Sequence, residues 1–144
     1  MISRSFDDTR QFAKELIVKI SKNTSDRAVV LDLKGDLGAG KTTLVQMIGR
    51  ELGVTETMQS PTFVIMKSYK TTNPRFKTLV HIDAYRIEQI DEVKILRLEE
   101  VFAESTNLVC IEWADKVREI MPNWTVKIEC TLLENDEHQY RIHE

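Results

Sequence analysis

Gly35-Asp36-Leu37-Gly38-Ala39-Gly40-Lys41-Thr42 matches the pattern G-x-x-x-x-G-K-[ST] at every fixed position, and its flanks decide the fold. Upstream, Ala28-Val29-Val30-Leu31-Asp32-Leu33 is an apolar run of strand length; downstream, Thr43 to Leu52 repeats apolar residues at helical spacing. Strand, glycine-rich bend and helix in that order describe a phosphate-binding loop rather than an ordinary turn. Glycines at 35, 38 and 40 let the backbone turn so that successive N–H groups converge on phosphate oxygens. Lys41 adds a mobile cation for the β- and γ-phosphates, and the Thr42 hydroxyl is placed to hold Mg²⁺. The helix that follows aims its N-terminus at the same anion. Nucleotide contacts are therefore expected from Asp36, Leu37, Gly38, Ala39 and Gly40 through Lys41, Thr42 and Thr43.

Composition narrows the class. A chain of 144 residues, 42% hydrophobic, suits one domain spanning 1–144 with a single core. A net charge of −3 and a pI near 5.7 supply no bulk attraction to nucleic acid or anionic lipid, so contact with RNA is expected through a local patch or a partner. No stretch approaches the roughly 18 apolar residues of a membrane span, and Met1 to Ser5 carries no signal-peptide core, so a cytoplasmic location is expected. Cys110 and Cys130 lie in apolar runs without C-x-x-C spacing and read as buried free thiols. His81, His138 and His143 form no ligand pair at helical spacing.

Around the loop, periodicity lays out the other elements. Asp7 to Ile20 reads as an amphipathic helix, with Phe12, Leu16, Ile17 and Ile20 on one face. Gly53 stops the loop helix and Ser60-Pro61 breaks the chain. Thr62 to Tyr69 and Thr78 to Asp83 then read as an antiparallel hairpin turned by Thr71-Thr72-Asn73-Pro74. Lys67, Lys70, Arg75 and Lys77 cluster around that turn and read first as a solvated tip. Glu88 to Phe102 suggests one broken helix or two short ones, Leu108 to Ile111 a buried strand, and Ala114 to Met121 a short helix ended by Pro122. Trp124 to Leu132 and His138 to Ile142 form a closing hairpin, so the sheet is mixed.

A phosphate loop alone binds; hydrolysis also needs an acid near the metal and a group that positions water. Two strand ends offer the acid: Asp83 after Thr78 to Ile82, and Glu112 after Leu108 to Ile111. In open α/β sheets ligands bind at the carboxyl ends of strands, where both would lie. Ser60-Pro61-Thr62-Phe63 occupies the position of a γ-phosphate-sensing switch, while Tyr85 and Arg86 follow Asp83 closely enough to reach the same site. Trp113 directly follows Glu112 and either packs in the core or lies against the nucleotide.

Taken in order, Gly35 to Thr43, Ser60-Pro61-Thr62-Phe63, His81-Ile82-Asp83-Ala84-Tyr85-Arg86 and Ile111-Glu112-Trp113 resemble one family. It is the TsaE-type ATPase of bacterial tRNA threonylcarbamoyladenosine (t⁶A) synthesis, and the resemblance covers roughly residues 5 to 122. It implies a three-layer α/β fold like that of P-loop NTPases, with a mixed parallel/antiparallel sheet. It also implies an ATP- and Mg²⁺-dependent protein acting with TsaB and TsaD, which modify adenosine 37, and meeting tRNA through that complex. By match to the motifs, Thr42 and Glu112 would serve Mg²⁺, Thr62 would belong to the switch, Asp83 would assist at the metal or the attacking water, and Trp113 would lie near the nucleotide. The catalytic set so implied is Lys41, Asp83 and Glu112.

The rival classes lack their marks. A guanine-nucleotide switch needs N-K-x-D, which is absent, and a small nucleoside or nucleotide kinase needs an arginine-bearing lid, whereas Arg86, Arg97 and Arg118 are dispersed. A regulatory subunit with incidental hydrolysis shares the loop and is separated from an ATPase only by experiment.

Overall fold

The computed structural model describes every residue except 23, 24, 60–64 and 144. The Ser60 to Phe63 switch, Thr62 included, lies outside the described residues. Seven strands form one sheet: β1 (Ile2–Ser3), β2 (Val29–Lys34), β3 (Met66–Lys70), β4 (Thr78–Asp83), β5 (Asn107–Glu112), β6 (Val126–Leu132) and β7 (His138–His143), in spatial order β1-β7-β6-β2-β5-β4-β3. The four central strands, β6, β2, β5 and β4, run parallel, while β3 on one flank and β7 and β1 on the other pair antiparallel. The sheet is mixed, as expected; the closing hairpin forms, and of the strand expected over Thr62 to Tyr69 the described part is Met66–Lys70, paired antiparallel with β4, residues 62–64 lying outside the described residues. The two-residue β1 is an addition that periodicity could not reveal; it pairs with β7 through Ile2 and Ser3.

Helices cover both faces. On one lie α1 (Phe6–Ser21) and α2 (Lys41–Glu51), which bury Phe12, Leu16, Leu44 and Ile48 against Leu31, Leu33, Leu108 and Cys110 of the central strands. Ser5 caps α1 by accepting a hydrogen bond from the Asp8 N–H, and Asp7 and Asp8 complement the positive end of the helix. The other face, Val30, Val80, Ile82, Val109 and Ile111, packs on Val93, Leu98, Phe102 and Val117. Those residues come from the 3₁₀ segment Ile90–Leu96, the short α3 (Leu98–Ala103) and the 3₁₀ segment Ala114–Ile120. Strand β5 is buried on both faces, which is why it reads as an uninterrupted apolar run.

Three details refine the expectations. The Glu88 to Phe102 region is indeed broken, at Arg97, whose left-handed backbone (φ 51°) separates the 3₁₀ turn from α3. The segment after Glu112 is a 3₁₀ turn interrupted at Val117 (φ −127°) rather than one regular helix. The basic hairpin tip is not merely solvated: Phe76 is fully buried, and the Arg75 guanidinium donates to the Ser105 carbonyl and lies over the Phe76 ring. The tip is thereby tied to the loop before β5, because a buried aromatic anchors its turn.

Register fixes the working edge. Leu33 of β2 and Asp83 of β4 both pair with Glu112 of β5, so three carboxyl ends finish level with one another beneath the loop that leaves β2.

Candidate phosphate-binding site

Gly40 begins α2 in the left-handed conformation (φ 93°), without a side-chain cap and with no acidic residue in the helix's first turn. The open N–H groups of that turn therefore face the loop with no competing carboxylate of their own. Glycine is required here twice over, since a Cβ at position 40 would sit 2.5 Å from the Tyr140 hydroxyl oxygen and 3.0 Å from His138 Nδ1. At Gly35 the requirement is close approach instead: a Cβ would fall 2.2 Å from the Cys130 carbonyl oxygen of β6. Asp36, Leu37 and Gly38 form the exposed tip, Ala39 is buried and Thr43 is half-buried in the first turn of α2.

The far side of the loop is held by β7, to which sequence reading assigned no role. The Tyr140 hydroxyl donates to the Gly40 carbonyl at 3.2 Å, and His138 Nδ1 lies 3.1 Å from the Ala39 carbonyl. Tyr140 is itself fixed, 1% exposed with its ring stacked on Phe12 at 5.3 Å, and burial pushes its phenol up to about 12. The only hint in the sequence is the pair His138 and Tyr140 on one side of a strand, a pattern compatible with many structural uses.

Within the loop, Lys41 is buried; its ammonium donates to the Gly35 carbonyl and lies 3.8 Å from the centre of the Trp113 ring. Trp113 sits at positive φ (59°), half-buried between Lys41 and Tyr85, whose ring centre is 5.1 Å away. Of the two readings posed from sequence, packing in the core or lying against a nucleotide, the structure shows the indole packed between Lys41 and Tyr85 beside the loop. The Thr42 hydroxyl is 3.0 Å from each oxygen of Glu112, and His81 Nε2 is 2.5 Å from Glu112 Oε2. Glu112 and His81 are 3% and 1% exposed. Asp83 is half-buried beside Glu112 in register and accepts a hydrogen bond from the Tyr85 N–H at 3.0 Å.

Of the two acids that the sequence offered, Glu112 is the one in contact with Thr42. His81 was read as part of a motif and as no partner in a histidine ligand pair; its contact with Glu112 comes from neighbouring strands. Beside Gly35, Asp36 and Trp113 opens a cavity of about 530 Å³, lined also by Asp32, Asp115, Arg118 and Lys127. Burial raises the Asp32 carboxyl above its ordinary value, against the opposing pull of Lys127 and Lys34.

The donors suit magnesium better than zinc. No group of three or more His, Cys, Asp or Glu side chains is gathered for a metal among the described residues. One hydroxyl and one carboxylate beneath the glycine loop are a sparse oxygen set of the kind that fits Mg²⁺ where phosphates and water complete its shell. Both thiols are buried and unpaired with each other, with Cys130 pushed up to about 12 and Cys110 higher still by burial. No described helix is long and apolar enough to cross a membrane.

The family model described as "Threonylcarbamoyl adenosine biosynthesis protein TsaE" matches residues 3–142. A "tRNA threonylcarbamoyladenosine biosynthesis protein TsaE" from Rickettsia bellii is 36% identical over 142 residues, covering 98% of this chain and 92% of that protein. Its namesake from Bacillus subtilis is 37% identical over 85% of this chain and 74% of its own length. The crystal structure of Bacillus subtilis YdiB superposes with a TM-score of 0.73 at 27% identity, covering 99% of this chain and 82% of that one. A family match over nearly the whole length, joined to the loop, strand ends and sheet order just described, means that this chain belongs to the TsaE family of threonylcarbamoyladenosine biosynthesis proteins.

Proposed function

We propose that this chain is the Mg²⁺-dependent ATPase of the t⁶A machinery, acting in the cytoplasm with TsaB and TsaD and meeting tRNA through them. The observation that carries the reading is the Thr42–Glu112 contact beneath the uncapped N-terminus of α2. In that place a hydroxyl and a carboxylate share one face of an anion cradle, the arrangement that phosphoryl transfer needs and simple phosphate storage does not.

The residues divide the work. The amides of residues 38–42 receive the β- and γ-phosphates, and Lys41 leaves the Gly35 carbonyl to meet them. Exchange of a carbonyl for a phosphate oxygen converts a dipole contact into a charge-assisted one. Thr42 and Glu112 would hold Mg²⁺, which would supply neutralisation of charge on the transferred group. Asp83, which pairs in register with Glu112 on the neighbouring strand, would assist at the metal or the attacking water, and Trp113 shields Lys41. Positioning and charge stabilisation are most of what this reaction asks of a protein, and an arginine finger can add about 10³ to 10⁵ in rate where one is supplied. Slow turnover by the isolated chain and faster turnover with TsaB and TsaD follow from that reading.

Reconstitution tests it. With TsaB, TsaD and tRNA, the wild type supports many modified tRNAs per complex, Lys41→Ala supports none beyond the first turnover, and Glu112→Gln binds ATP without sustaining turnover. Full multi-turnover activity from Glu112→Gln would reduce hydrolysis to an incidental property, and ATPase rates unchanged by TsaB and TsaD would remove the partnership.

A further inference from the structure

We infer that His81 is a positioning residue for magnesium: it holds the Glu112 carboxylate in the orientation that faces Thr42. This rests on the nucleotide reading above and goes beyond it, since the histidine touches neither the phosphate loop nor Thr42 among the described contacts.

Burial states the problem. A carboxylate that is 3% exposed is costly unless hydrogen bonds replace its lost water, and among the described residues Glu112 has two side-chain partners, Thr42 and His81. Thr42 has a single proton to give, and its lone pairs are the groups a cation would take. His81 is thus the partner that remains on the carboxylate alone. The sheet delivers it there: His81 pairs with Cys110 on β5, and Glu112 lies two residues further along the same face, so the ring reaches diagonally to Oε2.

The other ring nitrogen, His81 Nδ1, is buried and has no hydrogen-bond partner among the described residues, so the ring's described polar contact is the one at Nε2, to Glu112. This is the relation by which a residue behind a metal ligand sets the ligand's orientation, and removal of such partners typically weakens metal affinity about 10- to 100-fold.

The test separates metal from nucleotide. Calorimetry measures the affinity of the wild type, His81→Gln and His81→Leu for adenylyl imidodiphosphate, first with EDTA and then across a magnesium titration. His81→Leu is expected to bind the analogue in EDTA within about twofold of wild type and to lose about 10-fold or more of the gain that magnesium confers. His81→Gln, whose amide can still donate, recovers most of that gain. Should the leucine variant fail to fold, His81→Met fills the same space with a flexible apolar chain and carries the same expectation. A full magnesium-dependent gain in either apolar variant overturns the positioning role and leaves the nucleotide reading intact. An equal loss in EDTA and in magnesium also overturns it, by making His81 a packing residue of the site as a whole. Absence of binding by the wild type in both conditions would bring down the nucleotide reading and this inference with it.

Discussion

Replacement of Gly40 by alanine measures how tightly β7 clamps the phosphate loop. Two costs can be separated. Alanine at φ 93° enters a left-handed conformation that disfavours a Cβ by roughly 1–2 kcal/mol. The new methyl would also lie 2.5 Å from the Tyr140 hydroxyl oxygen, and overpacking of a buried site typically costs about 1–3 kcal/mol. The sum, about 2–5 kcal/mol, is a large share of the roughly 5–15 kcal/mol that stabilises a domain of this kind. Tyr140→Phe alone forfeits the hydrogen bond to the Gly40 carbonyl, worth about 0.5–1.5 kcal/mol. In the double variant the oxygen that the methyl would strike is gone, so the closest clash is relieved, while the tight contact with His138 at 3.0 Å and the backbone strain stay. Urea unfolding of the four proteins is therefore expected to give a double variant more stable than additivity predicts, by about 1–3 kcal/mol. Calorimetry with adenylyl imidodiphosphate should show the same order of recovery in affinity. Strict additivity, or a Gly40→Ala protein as stable as wild type, would refute the claim that the Tyr140 hydroxyl abuts Gly40 and clamps the loop from β7.

Other consequences are open to direct measurement. Burial lifts the Tyr140 phenol from an ordinary 10.0 to about 12, so its contribution to stability is complete below pH 10 and is lost as pH rises from 10 to 12. Over that interval the stability of the wild type should fall relative to Tyr140→Phe, and a constant difference would contradict the burial argument. Cys130, pushed up to about 12, and Cys110, higher still, should both resist Ellman's reagent at pH 8 in the folded protein and react together in urea; fast labelling of either without unfolding would mean that its strand opens. Of the two tryptophans, Trp113 has the Lys41 ammonium 3.8 Å from its ring centre, while Trp124 donates its indole N–H to the Ala28 carbonyl. Addition of adenylyl imidodiphosphate and magnesium should alter emission in Trp124→Phe and leave Trp113→Phe unchanged, and a signal that follows Trp124 instead would place the nucleotide elsewhere.

What the sequence determined by itself is the strand-loop-helix unit and the order of the elements around it. Each rests on interactions between near neighbours: the apolar run of β2, the glycine bend, the helical period of α2 and the turn chemistry of the two hairpins. That Glu88 to Phe102 is one broken helix or two short ones was legible too, though the place of the break, Arg97, was not. Only the tertiary structure decided which acid stands at Thr42, because Asp83 and Glu112 end adjacent parallel strands and look alike in sequence. It also brought His81 to Glu112 across 31 residues and Tyr140 to Gly40 across 100. Contacts of that span leave no local period to detect. They arise when β4, β5 and β7 take their places in the sheet, and a polar group that register buries must then be paired with whatever donor the neighbouring strand presents.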